Sequence, residues 1–201
     1  MDLAAAGPAE IRGAALDRLR EGLEGEPPPA AVEEVAGWIE GFLASPLGGE
    51  VRAAAARPGA LLREVPFLCR EEGVLLRGQI DLALRSADGA WTLVDYKASR
   101  PPRAEEKSGR YGRQLQIYAL ALGGVPLFEG TPPSRGLLAY LDPAVEVVEV
   151  PLDAAALAPA RALLARFREG TRGEERPPDR SHCRACPFGP GGTRSCAAAR
   201  A

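Results

Sequence analysis

The segment from Val74 to Lys97, VLLRGQIDLALR-SADG-AWTLVDYK, constrains the fold more than any other part of the chain. Two apolar runs flank Ser86, Ala87, Asp88 and Gly89, where Asp and Gly supply the backbone geometry of a tight turn. The segment therefore reads as a β-hairpin built for burial. Three of its charges call for an account: Asp81 near the end of one run, and Asp95 and Lys97 on either side of Tyr96 in the other. Side chains two apart on a strand project to one face, so Asp95 and Lys97 share a side. Asp81 and Asp95, on adjacent strands, can converge on one hard cation such as Mg²⁺, which prefers oxygen ligands. Lys97 would then stand beside the metal, and the Tyr96 carbonyl is a further candidate ligand. An Asp–Lys ion pair at the edge of a hairpin is the other reading of the same stretch.

The remaining patterning surrounds this hairpin with helices. Ile11, Ala15, Leu16, Leu19 and Leu23 recur at helical spacing over residues 9–24, and Val32, Val35, Trp38, Ile39 and Phe42 over residues 31–43. SPLGGE is expected to be a turn and residues 51–57 a short helix. A strand from Leu61 precedes the hairpin. Residues 104–122 form the strongest helical pattern, with Leu115, Tyr118, Ala119 and Leu122 on its apolar side. GLLAYLDP and EVVEVPL predict another strand pair, and residues 157–167 a last helix. This order predicts an α/β fold with a mixed sheet.

Composition narrows the function. The 201 residues are 46% hydrophobic and carry a net charge of −2, which excludes a uniformly basic coat for nucleic acid but not a local basic patch. No apolar run approaches the roughly 18 to 20 residues that span a bilayer, and the amino terminus lacks the pattern of a signal peptide. A cytoplasmic protein is expected. Four cysteines in such a protein point to metal or reactive thiols before disulfides. Between residues 97 and 113, Lys97, Arg100, Arg103, Lys107, Arg110 and Arg113 recur every three or four positions. They form either a phosphate-gripping stripe or a solvated face balanced by Glu105 and Glu106.

Three short motifs in order carry a resemblance: G-x-I-D at 78–81, V-D-Y-K at 94–97 and Q-x-x-x-Y at 114–118. Together they resemble the RecB-type branch of the PD-(D/E)XK nucleases, and EVPF at 64–67 resembles the strand that precedes the first motif. The resemblance covers roughly residues 10–196. It implies a restriction-endonuclease-like α/β core, a mixed central sheet flanked by helices, over residues 1–176, with a Cys-rich tail over 177–201. It implies Asp81 and Asp95 as ligands for Mg²⁺ or Mn²⁺, Lys97 as the catalytic lysine, and Gln114 and Tyr118 as a helix motif that supports the site and approaches DNA. The family's first helix usually carries a metal-associated His; here Asp17 occupies that place, in Gly13-Ala-Ala-Leu-Asp17-Arg-Leu19. A carboxylate can serve Mg²⁺ there, and it can equally mark a site that has lost activity.

Cys183, Cys186 and Cys196 cluster in the tail, and a C-x-x-C lets two thiolates reach one metal. AddB-type relatives hold a [4Fe-4S] cluster with one cysteine ahead of the motifs and three after them. The resemblance therefore implies such a cluster on these three, with Cys69 a candidate fourth ligand and zinc the lesser alternative. As a strand residue, Cys69 reads better as a buried structural thiol. The function implied is a metal-dependent deoxyribonuclease, more an exonuclease than an endonuclease, acting on single-stranded DNA ends in double-strand-break repair and recombination alongside a helicase domain or subunit. The rival is an inactive nuclease-fold module that binds DNA or acts as a scaffold.

Overall fold

The computed structural model describes residues 7–100, 109–123, 125–128 and 130–170. Three helices come first: α1 (Pro8–Gly22), α2 (Pro29–Ala44) and α3 (Pro46–Ala55). A proline opens each, where its fixed φ suits the first turn and its missing N–H costs no bond. The segment SPLGGE, expected as a turn, is instead the end of α2 and the start of α3. Ser45 bridges the two helices: its hydroxyl donates to the Phe42 carbonyl at 2.6 Å and accepts from the Gly48 N–H at 3.1 Å. The cap overrides the turn signal of Pro and paired Gly. Gly48 is also required by proximity, since a Cβ there would lie 2.1 Å from the Phe42 carbonyl oxygen.

Five strands form one sheet in sequence order: β1 (Leu61–Glu71), β2 (Val74–Arg85), β3 (Trp91–Lys97), β4 (Arg135–Tyr140) and β5 (Glu146–Val150). All neighbours are antiparallel except β3 and β4, which are parallel and joined by the crossover helix α4 (Arg110–Leu122). The expected hairpin is β2–β3, and the later pair is β4–β5. The expected start of α4 at 104 falls outside the described residues. Helix α5 (Ala154–Gly170) follows, its first turn capped by the Asp153 carboxylate on the Ala155 and Ala156 N–H groups. The first compact unit runs to Ala165 and takes in these elements up to that point of α5. The tail expected over 177–201 is outside the described residues.

The sheet is covered on both faces, as the apolar hairpin requires. On one side Ile11, Ala15, Phe42, Leu43 and Val51 of α1 to α3 pack on Leu82, Leu84, Val94, Leu137 and Ala139. On the other, Leu115, Ala119 and Leu122 of α4 pack on Ile80, Ala83, Leu93, Leu138 and Tyr140. Leu120 of α4 and Val74 of β2 also meet Ala160 and Leu164 of α5. Among the described residues Asp95 is the one buried charged side chain, at 4% exposure. No described helix is long and apolar enough to cross a membrane.

The two adjacent glycines of α3 should respond oppositely to alanine. Gly48→Ala is expected to destabilise the fold by about 1–3 kcal/mol through backbone overlap. Gly49→Ala, with open space at its Cβ, should stabilise it by about 0.5–1 kcal/mol. Denaturant unfolding of both variants measures the pair.

Candidate active site

The site begins with a fault in the β1–β2 ladder. Pairing runs from Leu61 opposite Leu84 to Arg63 opposite Leu82, skips Glu64 and Asp81, and resumes at Val65 opposite Ile80. Glu64 has φ +50°, a left-handed conformation that costs a non-glycine residue on the order of 1–3 kcal/mol. Side-chain alternation slips by one at this point on both strands. Leu82 and Leu84 pack toward α1 to α3, yet Ile80 packs toward α4; Leu61 faces the first side, and Leu62, Val65 and Phe67 the second. Two consecutive residues from each strand, Arg63 and Glu64 with Asp81 and Leu82, therefore border one cleft. One residue drops out on each strand, so the register is kept, yet the break re-aims side chains as a β-bulge does.

The β2–β3 ladder ends at Leu82 opposite Val94, and Asp81 takes over from it. Its Oδ2 accepts the Tyr96 N–H at 2.9 Å, so the carboxylate substitutes for a main-chain acceptor where the strands part. On β3, Val94 and Tyr96 belong to the α1–α3 side and Leu93 to the α4 side. Asp95 and Lys97 thus point toward α4. The Lys97 ammonium is ion-paired with Asp95 and lies 4.3 Å from the centre of the Tyr111 ring. Burial pushes the Asp95 carboxyl above its ordinary range; Lys97 pulls it back, and the charge of Asp81 adds to the rise. Asp81 and Asp95 are therefore close enough to repel, and a cation between them would relieve that repulsion.

Helix α4 supplies the rest. Gln114 Nε2 donates to Asp95 Oδ1 at 3.5 Å and to the Tyr118 hydroxyl at 2.9 Å. The Tyr118 ring meets Phe67 edge-on, with centroids 5.2 Å apart. Both rings lean over Gly78, where a Cβ would lie 2.5 Å from Phe67 and 3.1 Å from Tyr118. The glycine of G-x-I-D and the tyrosine of Q-x-x-x-Y are thus parts of one packing arrangement. Tyr140, opposite Lys97 on β4, is fully buried, and its hydroxyl finds no hydrogen-bond partner among the described residues.

The other expected residues are more scattered. Asp17 lies on α1 and does not line the cleft, whereas its neighbour Arg18 does. Arg100 is exposed and faces Asp142 at 3.5 Å, while Arg113 is half-buried. Arg103, Lys107 and the Arg110 side chain lie outside the described residues, as do Cys183, Cys186 and Cys196. Cys69 is half-buried against the α4-side core, and burial raises its thiol pKa, which disfavours the thiolate a metal needs. Sequence reasoning passed over Arg18 and Tyr111, and met Glu64 only as part of EVPF. Tyr111 had a signal, one helical turn before Gln114, whereas the role of Glu64 depends on a backbone angle that its side chain does not announce.

Among the described residues no three His, Cys, Asp or Glu side chains gather closely enough to hold a metal alone. The oxygen chemistry nevertheless suits a hard divalent cation. Asp95 Oδ2 is buried with the Lys97 ion pair and no further hydrogen bond among the described residues, and Asp81 is its like-charged neighbour.

Comparison with known proteins identifies a family for the chain. The sequence profile of the PD-(D/E)XK nuclease superfamily matches residues 2–190. An ATP-dependent helicase/nuclease subunit of Lactiplantibacillus plantarum is 36% identical over 100 residues, covering 43% of this chain and 8% of that protein. The chain thus spans only a small part of that relative's length. The crystal structure of a presumed exonuclease from Eubacterium rectale aligns with a TM-score of 0.52 and 13% identity, over 98% of this chain and 74% of that one. The crystal structure of SSO0001 aligns at TM-score 0.45 with 21% identity, over 93% of this chain and 81% of that one.

Gly78→Ala is expected to displace Phe67 and Tyr118 and to cost about 1–3 kcal/mol of stability. If the packing account holds, Phe67→Leu in the same chain recovers part of the loss, as a double-mutant cycle in denaturant would measure.

Proposed function

The chain belongs to the PD-(D/E)XK nuclease superfamily, and we propose that it hydrolyses DNA phosphodiesters in a divalent-metal-dependent reaction at single-stranded ends. The observation that carries this reading is the buried Asp95 carboxylate, one oxygen of which has the Lys97 ion pair and no further hydrogen bond, with Asp81 alongside. Asp81 and Asp95 would hold Mg²⁺ or Mn²⁺, with the Tyr96 carbonyl as a further ligand. A bound cation of this kind polarises the scissile phosphate and lowers the pKa of water at the site.

The chain's own residues then have distinct roles. Lys97 donates hydrogen bonds to the attacking water or to a phosphate oxygen and offsets the negative charge that develops there. Tyr111 shields one side of that ammonium and keeps it directed along the site. Gln114 holds Asp95 Oδ1 and is itself fixed by Tyr118, so the carboxylate keeps its orientation. Asp81 cannot swing freely, because the Tyr96 N–H tethers its Oδ2. Similarity to a helicase/nuclease protein supports a role in double-strand-break processing and recombination beside a helicase domain or subunit. In the tail, Cys183, Cys186 and Cys196 would bind a [4Fe-4S] cluster, which iron and sulfide analysis of anaerobically purified protein tests against zinc.

One observation favours a second reading, a nuclease fold that binds DNA without cutting it. Asp17, which stands where the family's metal-associated His is expected, joins no metal-binding group, and the described residues offer no three-ligand cluster.

Digestion of labelled oligonucleotides separates the two readings. With Mg²⁺ or Mn²⁺ the wild-type protein should degrade single strands, and a chelator should stop it. Lys97→Ala and Asp81→Ala should each lower the rate by about 10²–10³-fold. Equal degradation by all three proteins would refute the assignment, and DNA binding without cleavage in either metal would favour the inactive module.

A further inference from the structure

A second feature adjoins the carboxylates on the α1–α3 side of the sheet. It is an open cleft of about 650 Å³, floored by Leu43, Val51 and Leu82 and bordered by Asp81. Its walls carry flat apolar rings and two arginines, together with the carboxylates of Glu64 and Asp81. Trp38 and Phe42 contribute from α2, Tyr96 from β3, Arg18 from α1 and Arg63 from the faulted part of β1. Tyr96 is braced edge-on by Phe42, with ring centroids 5.2 Å apart. Trp38 is only half-buried, so its ring borders the opening instead of filling the core.

These residues match one class of ligand. A purely apolar ligand would make no use of the two guanidiniums, and a free anion would not use the aromatic walls. A nucleotide uses both, because its base stacks on an aromatic face and its phosphates meet arginines. A duplex keeps its bases stacked and paired, so only a single strand, or a frayed end, can offer a base to such a cleft without an unstacking cost. The cleft is also continuous with Asp81, which puts an occupant beside the proposed reaction centre.

We propose that this cleft seats a nucleotide of single-stranded DNA adjacent to the scissile phosphate, with its base against Trp38 and its backbone held by Arg18 and Arg63. The proposal rests on the nuclease reading and gives it a physical source of strand selectivity. Arg18 is exposed and paired with Glu21 at 2.8 Å, so it can exchange that partner for a phosphate at small cost.

The test uses the full chain and short fluorescein-labelled single strands of oligodeoxythymidine. Binding is followed by anisotropy in a Lys97→Ala background and cleavage by steady-state kinetics in the wild-type background. Trp38→Ala should weaken binding and raise KM about tenfold with kcat within about twofold, whereas Trp38→Phe should keep most of the affinity. An abasic residue scanned along the strand should, at one position beside the cut, weaken binding to the Trp38-bearing protein by the same factor. That abasic strand should bind Trp38→Ala no worse than the intact strand does. Arg18→Ala and Arg63→Ala should weaken intact and abasic strands alike and flatten the salt dependence. Thermal melting by circular dichroism confirms that each variant is folded. Unchanged binding by folded Trp38→Ala, or equal weakening for intact strands and every abasic strand, overturns the proposal. Undiminished cleavage by Lys97→Ala overturns the nuclease reading instead, and the two failures are thereby distinguished.

Discussion

A charge buried between a sheet and a helix is the constraint around which this molecule is arranged. Removing a carboxylate from water without partners costs several kcal/mol, so Asp95 dictates what can surround it. Lys97 shares its strand and face, Gln114 reaches it from α4, and Tyr118, packed over Gly78, holds Gln114 in turn. The compensation is incomplete, because one oxygen has the ion pair alone and the carboxyl remains harder to ionise than an ordinary aspartate. Under the proposed function, a divalent cation would supply the compensation that is missing.

The two faces of the sheet divide the labour. The α4 face carries Asp95, Lys97 and the tightly packed supports that hold them. The α1–α3 face carries an open cleft with aromatic walls and exposed cations. Asp81 belongs to the second face by its surroundings and is coupled to the first by the Tyr96 N–H. The proposed reaction centre and the proposed nucleotide cleft are thus adjacent, and they meet at Asp81.

Much of this was legible in the sequence, for physical reasons. Strands buried on both sides must be apolar almost throughout, so the hairpin and the charges that interrupt it stand out. Four-residue spacing on α4 reveals Gln114 and Tyr118 as partners. The start of α3 was not legible, because a serine cap makes helix from residues that otherwise signal a turn. Nor was the cleft. Trp38 has the spacing of a core residue on α2, and nothing in its local pattern says that its ring stands at an opening. Arg63 is exposed on an edge strand and looks like any solvated charge until the ladder fault is seen beside it.

That fault also governs how the protein can vary. Glu64 and Asp81 drop out of the pairing together, so the register is the same on both sides of the gap. Deleting or inserting a single residue on either strand would shift the two strands against each other and turn the outer hairpin inside out, with Phe67 and Ile80 thrown to the wrong face. Length changes in β1 and β2 are therefore admissible only as matched pairs. Asp81 thus keeps its place only together with the kink at Glu64 opposite it.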